Sequence, residues 1–307
     1  MKKSNTFIKL LIVFGTILTL VGGIIFSVAM TISKWDFSVL ASSVYQRKVI
    51  EIVEQEELDA ISSVKIVFST TDVKIDYHDE QKITVEGFDL CNRKGEVIEE
   101  LATSTSNGEL AISFKKQKTA IISMGTAGKD VLTLKIPRNK VVKLSVTLST
   151  GSVEIGESGK DYNFSEIDLK TATGDVNLTG NLNCKVLNIT NSTGDTFVKG
   201  NLKVQSFTRK ATTGNLVINA KIEANTIDVK NSTGDVKSSA YITANSINVK
   251  TSTGDVTLKL LGSKSDYSYT YDISTGKSNI MPMVNAGQTK TVKITISTGD
   301  AYIYFER

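Results

Sequence analysis

The chain has 307 residues, of which 40% are hydrophobic and 22% are charged, and its formal net charge is +4. Basic and acidic residues are interspersed and aromatic residues do not alternate with a basic stripe, which argues against a nucleic acid or another polyanion as the partner. The two cysteines, Cys91 and Cys184, are too few for a disulfide framework, and their spacing neither requires nor forbids one bridge between them.

An apolar segment near the N-terminus predicts a membrane anchor. Residues 10–32 carry no charge, and a helix of that length spans roughly 34 Å, enough to cross a bilayer core of about 30 Å. Lysines at positions 2, 3 and 9 favour a cytoplasmic N-terminus, residues 1–9, and an extracytoplasmic remainder. A cleaved signal peptide ending near Ala29 is the alternative, but its apolar region would be unusually long. We therefore predict an uncleaved, single-pass transmembrane helix.

Residues 33–60 are predicted to form a juxtamembrane segment, in which 46–60 is either a short helix or a stalk. From Ile61 onward, apolar and polar residues alternate in short runs, which is typical of strands. His78 falls where one such run meets a turn. With only two prolines and no linker composition, residues 61–307 are expected to be one domain, in which 61–145 form irregular coils and a cap. The predicted early strands are 64–68, 73–77, 83–85, 110–114, 131–136 and 141–148.

A Thr-Gly step recurs eight times in residues 146–307. The successive glycines are 23, 20, 20, 20, 20, 22 and 23 residues apart. A fixed period of this size is typical of a solenoid, in which each repeat is one turn that cannot bury its apolar face alone. These glycines are Gly151, Gly174, Gly194, Gly214, Gly234, Gly254, Gly276 and Gly299.

Each 20-residue unit, counted from eight residues before its glycine, contains three pairs of apolar residues at a spacing of two. That spacing is the strand period, so each unit predicts three short strands. The fold class is therefore all-β, a parallel β-helix (β-solenoid) whose coils of roughly 20 residues each advance roughly 4.8 Å. Arg209 interrupts one apolar column, so it is expected either to point outward through a bulge or to be paired internally. The second-position column is Ile167, Leu187, Phe207, Ile227 and Ile247.

The Ser-Thr-Gly-Asp sequences are predicted to form the corners of the coils. Glycine there would supply a positive φ, which a β-carbon penalises. The neighbouring hydroxyls and carboxylates would bond local backbone amides at the turn. The glycines to which we assign this structural role are Gly174, Gly194, Gly214, Gly234, Gly254 and Gly299.

Tyrosines are concentrated near the C-terminus. Tyr267, Tyr269 and Tyr271 alternate along one predicted strand, while Tyr302, Tyr304 and Phe305 close the chain. An open solenoid end exposes unpaired backbone groups, so these rings are expected to form a terminal core and cap. The alternative is that Tyr267, Tyr269 and Tyr271 form a binding surface for sugar rings or a partner protein.

The chain resembles the bacterial putative-adhesin family, domain of unknown function 4097. The resemblance rests on the single N-terminal span, the early strand pair 64–77, the step 136–139 (Ile-Pro-Arg-Asn) and the repeated Ser-Thr-Gly-Asp-Val units, and it covers roughly residues 60–307. It implies a β-solenoid at the cell envelope, with a sensory or stress-linked role as one possibility. No catalytic residues come with it.

The main prediction is a non-catalytic binding, sensing or structural module whose partner is an envelope protein or a glycan, and three more specific functions are alternatives to it. A calcium-dependent adhesin would use the stacked carboxylates of Asp175, Asp195, Asp235 and Asp255, but one carboxylate per coil supplies few ligands. A carbohydrate-active enzyme would need carboxylates converging on one coil. A scaffold that polymerises end to end would need open ends. We predict no enzyme activity and no cofactor.

Overall fold

The computed structural model describes residues 15, 19–24, 27–28, 31, 44–91, 95–116, 131–284 and 287–306. Contacts divide the chain into two compact units. One comprises Met1–Gln46, Asp89–Glu100 and Lys115–Gly128, and the other comprises Arg47–Phe88, Leu101–Phe114 and Lys129–Arg307. The predicted division into anchor, juxtamembrane segment and one solenoid domain stays a prediction.

Strands account for nearly all the regular structure among the described residues. The predicted early strands are all present, whereas the strand at 44–52 was not predicted and a short helix follows it. The N-terminal elements are β1 (Val44–Ile52), α1 (Gln55–Ala60), β2 (Ser63–Thr70), β3 (Asp72–His78), β4 (Ile83–Cys91), β5 (Val97–Ser106), β6 (Glu109–Lys116), β7 (Val131–Pro137), β8 (Lys143–Thr150), β9 (Val153–Ile155) and β10 (Asp161–Asn163). The remaining elements are β11 (Glu166–Thr173), β12 (Val176–Leu178), β13 (Asn181–Thr193), β14 (Thr196–Val198), β15 (Leu202–Thr213), β16 (Leu216–Ile218), β17 (Ile222–Thr233), β18 (Val236–Thr253), β19 (Val256–Leu261), a 3₁₀ turn (Lys264–Asp266), β20 (Tyr267–Thr275), β21 (Lys290–Thr298) and β22 (Ala301–Glu306).

The repeats stack in parallel, in the register that the period predicts. Ile167 pairs with Leu187, Leu187 with Phe207, Phe207 with Ile227, and Ile227 with Ile247. All five side chains are buried. Fully burying one such side chain stabilises a fold by roughly 1.5–3 kcal/mol, so the stacked columns are the main source of cohesion in this unit.

The third strand of one coil runs without a break into the first strand of the next. In β13 the buried positions are 182 and 184, and then 187, 189 and 191. The change from even to odd numbers marks a bend, because one extra residue moves every later side chain to the opposite face. Three faces per coil, as predicted, are therefore built from two strands and a bend.

Glycine is required at the repeated corners for two reasons. The six assigned glycines have φ between +136° and +142°, which confirms the predicted positive φ in a region that is essentially limited to glycine. A β-carbon on Gly234 would also lie 2.2 Å from the carbonyl oxygen of Gly214 in the preceding coil. Successive corners therefore approach too closely for any side chain.

At both ends of the stack the coil order departs from the chain order. β2 lies between β6 and β8, and β21 lies between β18 and β20. The C-terminal strand β22 pairs with β19, so it is not the last coil of the stack. That place belongs to β20, where Met283 exchanges two backbone hydrogen bonds with Tyr269. Burying a terminal strand between two others protects it from fraying.

The predicted span 10–32 falls mostly on residues outside the described set. Residues 15, 19–24, 27–28 and 31 within it are helical, and among the described residues no helix is long and apolar enough to cross a membrane. In the smaller unit, the ends of β4 and β5 pair in antiparallel fashion at Leu90–Glu99 and Cys91–Val97.

Candidate binding surfaces

The corner carboxylates form a ladder of hydrogen bonds. Asp175 Oδ1 accepts from the Asp195 amide at 2.8 Å, and Asp235 Oδ1 accepts from the Asp255 amide at 2.8 Å. Each oxygen therefore bonds the next coil, whereas the sequence predicted local bonds within one turn. The ladder continues through eight acceptor side chains, Asp72, Ser152, Asp175, Asp195, Asn215, Asp235, Asp255 and Asp300.

This ladder bears on the calcium hypothesis. Asp175, Asp195, Asp235 and Asp255 lie in one column, but one oxygen of each is already bonded to an amide. Among the described residues no group of three or more histidine, cysteine, aspartate and glutamate side chains is placed to hold a metal ion. The ladder explains the recurrence of aspartate structurally, because it satisfies amides at every corner.

Arg209 is buried in the core without any exposed surface. Its guanidinium donates to Thr196 Oγ1 at 3.0 Å, to Asn231 Oδ1 at 2.5 Å and to the carbonyls of Gly214 and Asn215 at 3.3 and 3.1 Å. Of the two arrangements left open by the sequence, internal pairing is the one observed. Burial lowers the pKa of Arg209 to about 10, so the group stays charged at neutral pH.

The residues around Arg209 differ from their counterparts in other coils. Thr196 occupies a position where the other regular coils have Val or Leu, and Ala211 occupies one where they have Thr or Asn. Asn231, from the next coil, also donates to the Gly214 carbonyl at 3.4 Å. Polar side chains therefore surround Arg209 inside the core, because an unpaired guanidinium would be very costly to bury.

A polar groove follows the third-strand face of the coils. It has a volume of about 440 Å³, and its walls carry mostly amide, amine and carboxylate groups. Asn181 donates to Asp161 Oδ1 at 2.8 Å, and Asn183 donates to Asn163 Oδ1 at 3.0 Å, so side chains at equivalent positions bond each other. We call this the amide groove; its outward residues are Asp161, Asn163, Asn181, Asn183, Asn201, Lys203, Lys221 and Glu223.

A second groove follows the first-strand face and the Ser-Thr corner, with a volume of about 410 Å³. One wall carries Lys210, Lys230 and Lys250, which occupy the fifth position of three successive 20-residue units. The other wall carries the serine and threonine hydroxyls of the seventh position. Sequence reasoning missed these lysines, although reading the fifth position at the 20-residue period reveals them. We call this the lysine groove; its residues are Thr190, Asn191, Ser192, Lys210, Ala211, Thr212, Lys230, Asn231, Ser232, Lys250 and Ser252.

The tyrosines proposed as a binding surface lie mostly in the core. Tyr267 and Tyr269 have no exposed surface, and their rings lie 5.6 and 5.8 Å from that of Phe305. Tyr271 is half-buried, and burial raises its pKa to about 12. A fully buried ring cannot stack on a ligand, so the binding-surface interpretation is wrong for Tyr267 and Tyr269. Terminal packing accounts for both rings.

A polar cluster that the sequence did not indicate surrounds the buried Asp76. The Tyr162 hydroxyl donates to Asp76 Oδ1 at 2.5 Å and accepts from the Glu157 amide at 3.0 Å. Glu157 pairs with Lys160 at 2.6 Å and Lys74 at 3.5 Å, and the bond from Lys160 is the main reason that its pKa falls to about 2. These contacts tie the coil at β3 to the turn after β9.

The two cysteines and the single histidine lie in places where their contacts support the fold. Cys91 and Cys184 are free thiols, and burial raises the pKa of Cys184 to about 12, which makes it a poor nucleophile. His78 is the last residue of β3, and its Nε2 lies 2.6 Å from the Lys82 carbonyl. Because β3 pairs in parallel with β7 while the next strand, β4, pairs with β7 in antiparallel fashion, the chain reverses direction after His78, with β7 between the two strands.

Comparison with known proteins connects this fold to one family. The family described as Toastrack DUF4097 matches residues 61–304. None of the curated proteins matches the chain. A "putative adhesin" from Bacteroides fragilis is similar in structure, with a TM-score of 0.51 and 13% identity over 85% of this chain and 99% of that one. At that identity the likeness shows the fold alone.

Two further solved structures are similar over comparable lengths. A "putative lipid binding protein" from Parabacteroides distasonis has a TM-score of 0.48 and 16% identity, covering 87% of this chain and 99% of its own. A "putative cell adhesion protein" from Clostridium sporogenes has a TM-score of 0.30 and 11% identity, covering 86% of this chain and 100% of its own.

Proposed function

The chain belongs to the Toastrack DUF4097 family, and from that premise we propose that it is a non-catalytic binding module of the bacterial cell envelope. The observation that carries this proposal is that side chains at equivalent positions line two long grooves, one on each of two faces of the coils. Such grooves present one chemical group per coil, which suits an extended ligand with a repeating structure.

The proposed placement follows from the N-terminal sequence. Residues 10–32 anchor the chain as an uncleaved span, residues 1–9 are cytoplasmic, and residues 61–307 lie outside the membrane. Because a module that binds an envelope polymer must face it, the anchor and the grooves belong to one function.

Topology is tested with the full-length chain in a bacterial host. A C-terminal tag is expected to be digested by protease added to spheroplasts, while an N-terminal tag is protected. Deleting 10–32 is expected to release the protein from the membrane fraction. Protection of the C-terminal tag would place the solenoid in the cytoplasm and overturn the proposal.

Binding is tested separately with the full-length protein purified in a neutral detergent. We expect it to sediment with isolated cell walls of the host and to be released by a soluble wall polymer, with no change in that polymer's chain length after prolonged incubation. Shortened polymer chains would show catalysis and contradict the non-catalytic role.

A further inference from the structure

In the lysine groove, lysines that are 20 residues apart in the sequence lie next to one another in the folded protein. Lys210, Lys230 and Lys250 pair with one another in the parallel register of β15, β17 and β18. Their Cα atoms are therefore separated by roughly 4.8 Å per coil. All three side chains are exposed, and no carboxylate lines the groove.

Two of these lysines differ from the third in the side chain two positions earlier. Lys230 contacts Asp228 at 2.9 Å, but the equivalent neighbours of Lys210 and Lys250 are Thr208 and Asn248. Among the described residues neither Lys210 nor Lys250 forms a salt bridge. Their charges are therefore available to an external anion, so on this face the dispersed charge of the sequence does not argue against a polyanionic partner.

A fourth cation lies directly beneath the groove. Asn231 lines the groove and accepts a hydrogen bond from Arg209 at 2.5 Å. Every acceptor of the Arg209 guanidinium is neutral, and no carboxylate among the described residues contacts it, although the charge of Asp195 acts on it from farther away and partly offsets the effect of burial on its pKa. A buried charge is screened much less by salt than an exposed one, so Arg209 contributes a fixed positive potential at the groove floor.

The opposite wall narrows the class of ligand. Ser192, Thr212, Ser232 and Ser252 supply one hydroxyl per coil, which suits hydrogen bonding to sugar hydroxyls. No aromatic side chain lines the groove, whereas proteins that hold single-stranded nucleic acid rely on aromatic stacking. This combination favours a polysaccharide over a nucleic acid.

From this geometry, and resting on the proposed binding function, we propose that the lysine groove binds an acidic polysaccharide that carries carboxylates along its chain. The polymer lies along the stack, with its carboxylates on Lys210, Lys230 and Lys250 and its hydroxyls on the serine and threonine wall. Binding three coils at once makes affinity depend on polymer length, because the second and third contacts are intramolecular.

The test compares three triple variants of the full-length protein, each of which removes three positive charges from a different face. The groove variant is K210Q/K230Q/K250Q, and the second-strand control is K199Q/K237Q/K259Q. The amide-groove variant is K185Q/K203Q/K221Q, which combines the two lysines of that groove with the neighbouring Lys185. Polygalacturonate is the probe, with galacturonate monomer, neutral dextran and single-stranded DNA as comparisons. Circular dichroism checks that each variant is folded.

We expect the groove variant to lose about tenfold or more in affinity, the combined effect of three ion pairs, and the second-strand control to stay within about twofold of the parent. The amide-groove variant, which alters the rival groove, is expected to lose less affinity than the groove variant. The monomer and dextran are expected to bind far more weakly than the polymer.

Equal losses in all three variants would indicate net charge alone and overturn the assignment, as would tighter binding of DNA. A loss confined to the amide-groove variant would sink the lysine assignment and leave the proposed function standing. If the parent protein binds cell walls but not polygalacturonate, the lysine assignment is likewise wrong and the proposed function still stands.

A second variant tests Arg209 apart from the lysines. The substitutions R209V/T196V/A211N give the two coils concerned the residues that other coils have at the same positions. We expect the fold to be kept and the affinity for polygalacturonate to fall several-fold, with a steeper dependence on salt because only exposed charges remain. Unchanged affinity would overturn the role given to Arg209.

Discussion

At the scale of single residues, two positions show how a repeat constrains its own sequence. Gly234 is required because a neighbouring coil occupies the place of a side chain. Arg209 is tolerated because Thr196, Asn231 and two carbonyls satisfy its donors. In both cases part of the reason lies in a neighbouring coil: Gly214 for Gly234, and Thr196 and Asn231 for Arg209.

Gly234→Ala is predicted to destabilise the fold by more than about 2 kcal/mol, since its β-carbon would meet backbone that cannot move without shifting a coil. Gly159→Ala is the matched control. Gly159 also has a positive φ, +77°, but nothing lies within 4 Å of its β-carbon position, so only the intrinsic strain of about 1–2 kcal/mol is expected. Thermal unfolding followed by circular dichroism measures both, and equal losses would refute the close-approach argument.

Arg209→Val alone is predicted to cost about 1–3 kcal/mol, because it leaves polar partners unsatisfied in the core. The triple variant R209V/T196V/A211N is predicted to recover most of that loss, since it removes Thr196 as a partner and restores a donor at the sixth position. Denaturant midpoints of the single and triple variants give the coupling between these sites. A triple variant less stable than the single one would contradict this account.

At the scale of elements, the corner ladder and the strands have separate roles. The strands contribute apolar columns, while the corners satisfy one backbone amide per coil through a side-chain oxygen. Asn215 occupies the ladder between Asp195 and Asp235 with the same bond at 2.9 Å. The ladder therefore needs an acceptor oxygen and not a negative charge.

Asp235→Asn is accordingly predicted to be nearly neutral for stability, whereas Asp235→Ala is predicted to cost about 1 kcal/mol by leaving the Asp255 amide without its acceptor. Amide hydrogen exchange at Asp255 provides the local readout, with protection kept in the Asn variant and reduced in the Ala variant. If both variants were equally destabilised, the charge itself would have to matter, and the calcium hypothesis would regain support.

At the scale of the whole larger unit, interleaved end coils distinguish the stack from a simple sequence of repeats. β21 pairs with β18 and β22 pairs with β19, while β20 pairs with the other edge of β21. β20 is therefore last in the stack although β21 and β22 follow it in the chain. The last coil therefore depends on a segment that follows it in the chain. Nearest-neighbour contacts otherwise dominate, as expected of a solenoid.

Deleting one complete internal coil, Glu166–Lys185, is predicted to leave a folded protein with a modestly lower melting temperature, because the coil at β8 then stacks on β13 in the same register. Deleting half a coil, 166–175, is predicted to abolish the cooperative transition. Removing 290–307 should be more damaging than removing one coil, since β20 loses its partner. Thermal unfolding of the three deletions in parallel checks this order, and a harmless loss of 290–307 would show that the end coil does not depend on it.

The sequence alone was sufficient for the all-β solenoid, its 20-residue register and the positive φ of the corner glycines, because a strict period transmits each local rule to every coil. It was insufficient where the structure depends on which coils become neighbours. The expected terminal packing of Tyr267 and Tyr269 is confirmed, but the insertion of β21 and the choice of internal pairing for Arg209 follow from contacts between segments whose spacing departs from the period or whose residues depart from the repeat. The lysine groove belongs to the same class. Along the chain, acidic residues lie between these lysines. Only the stacking of coils 20 residues apart brings Lys210, Lys230 and Lys250 together above the buried guanidinium of Arg209.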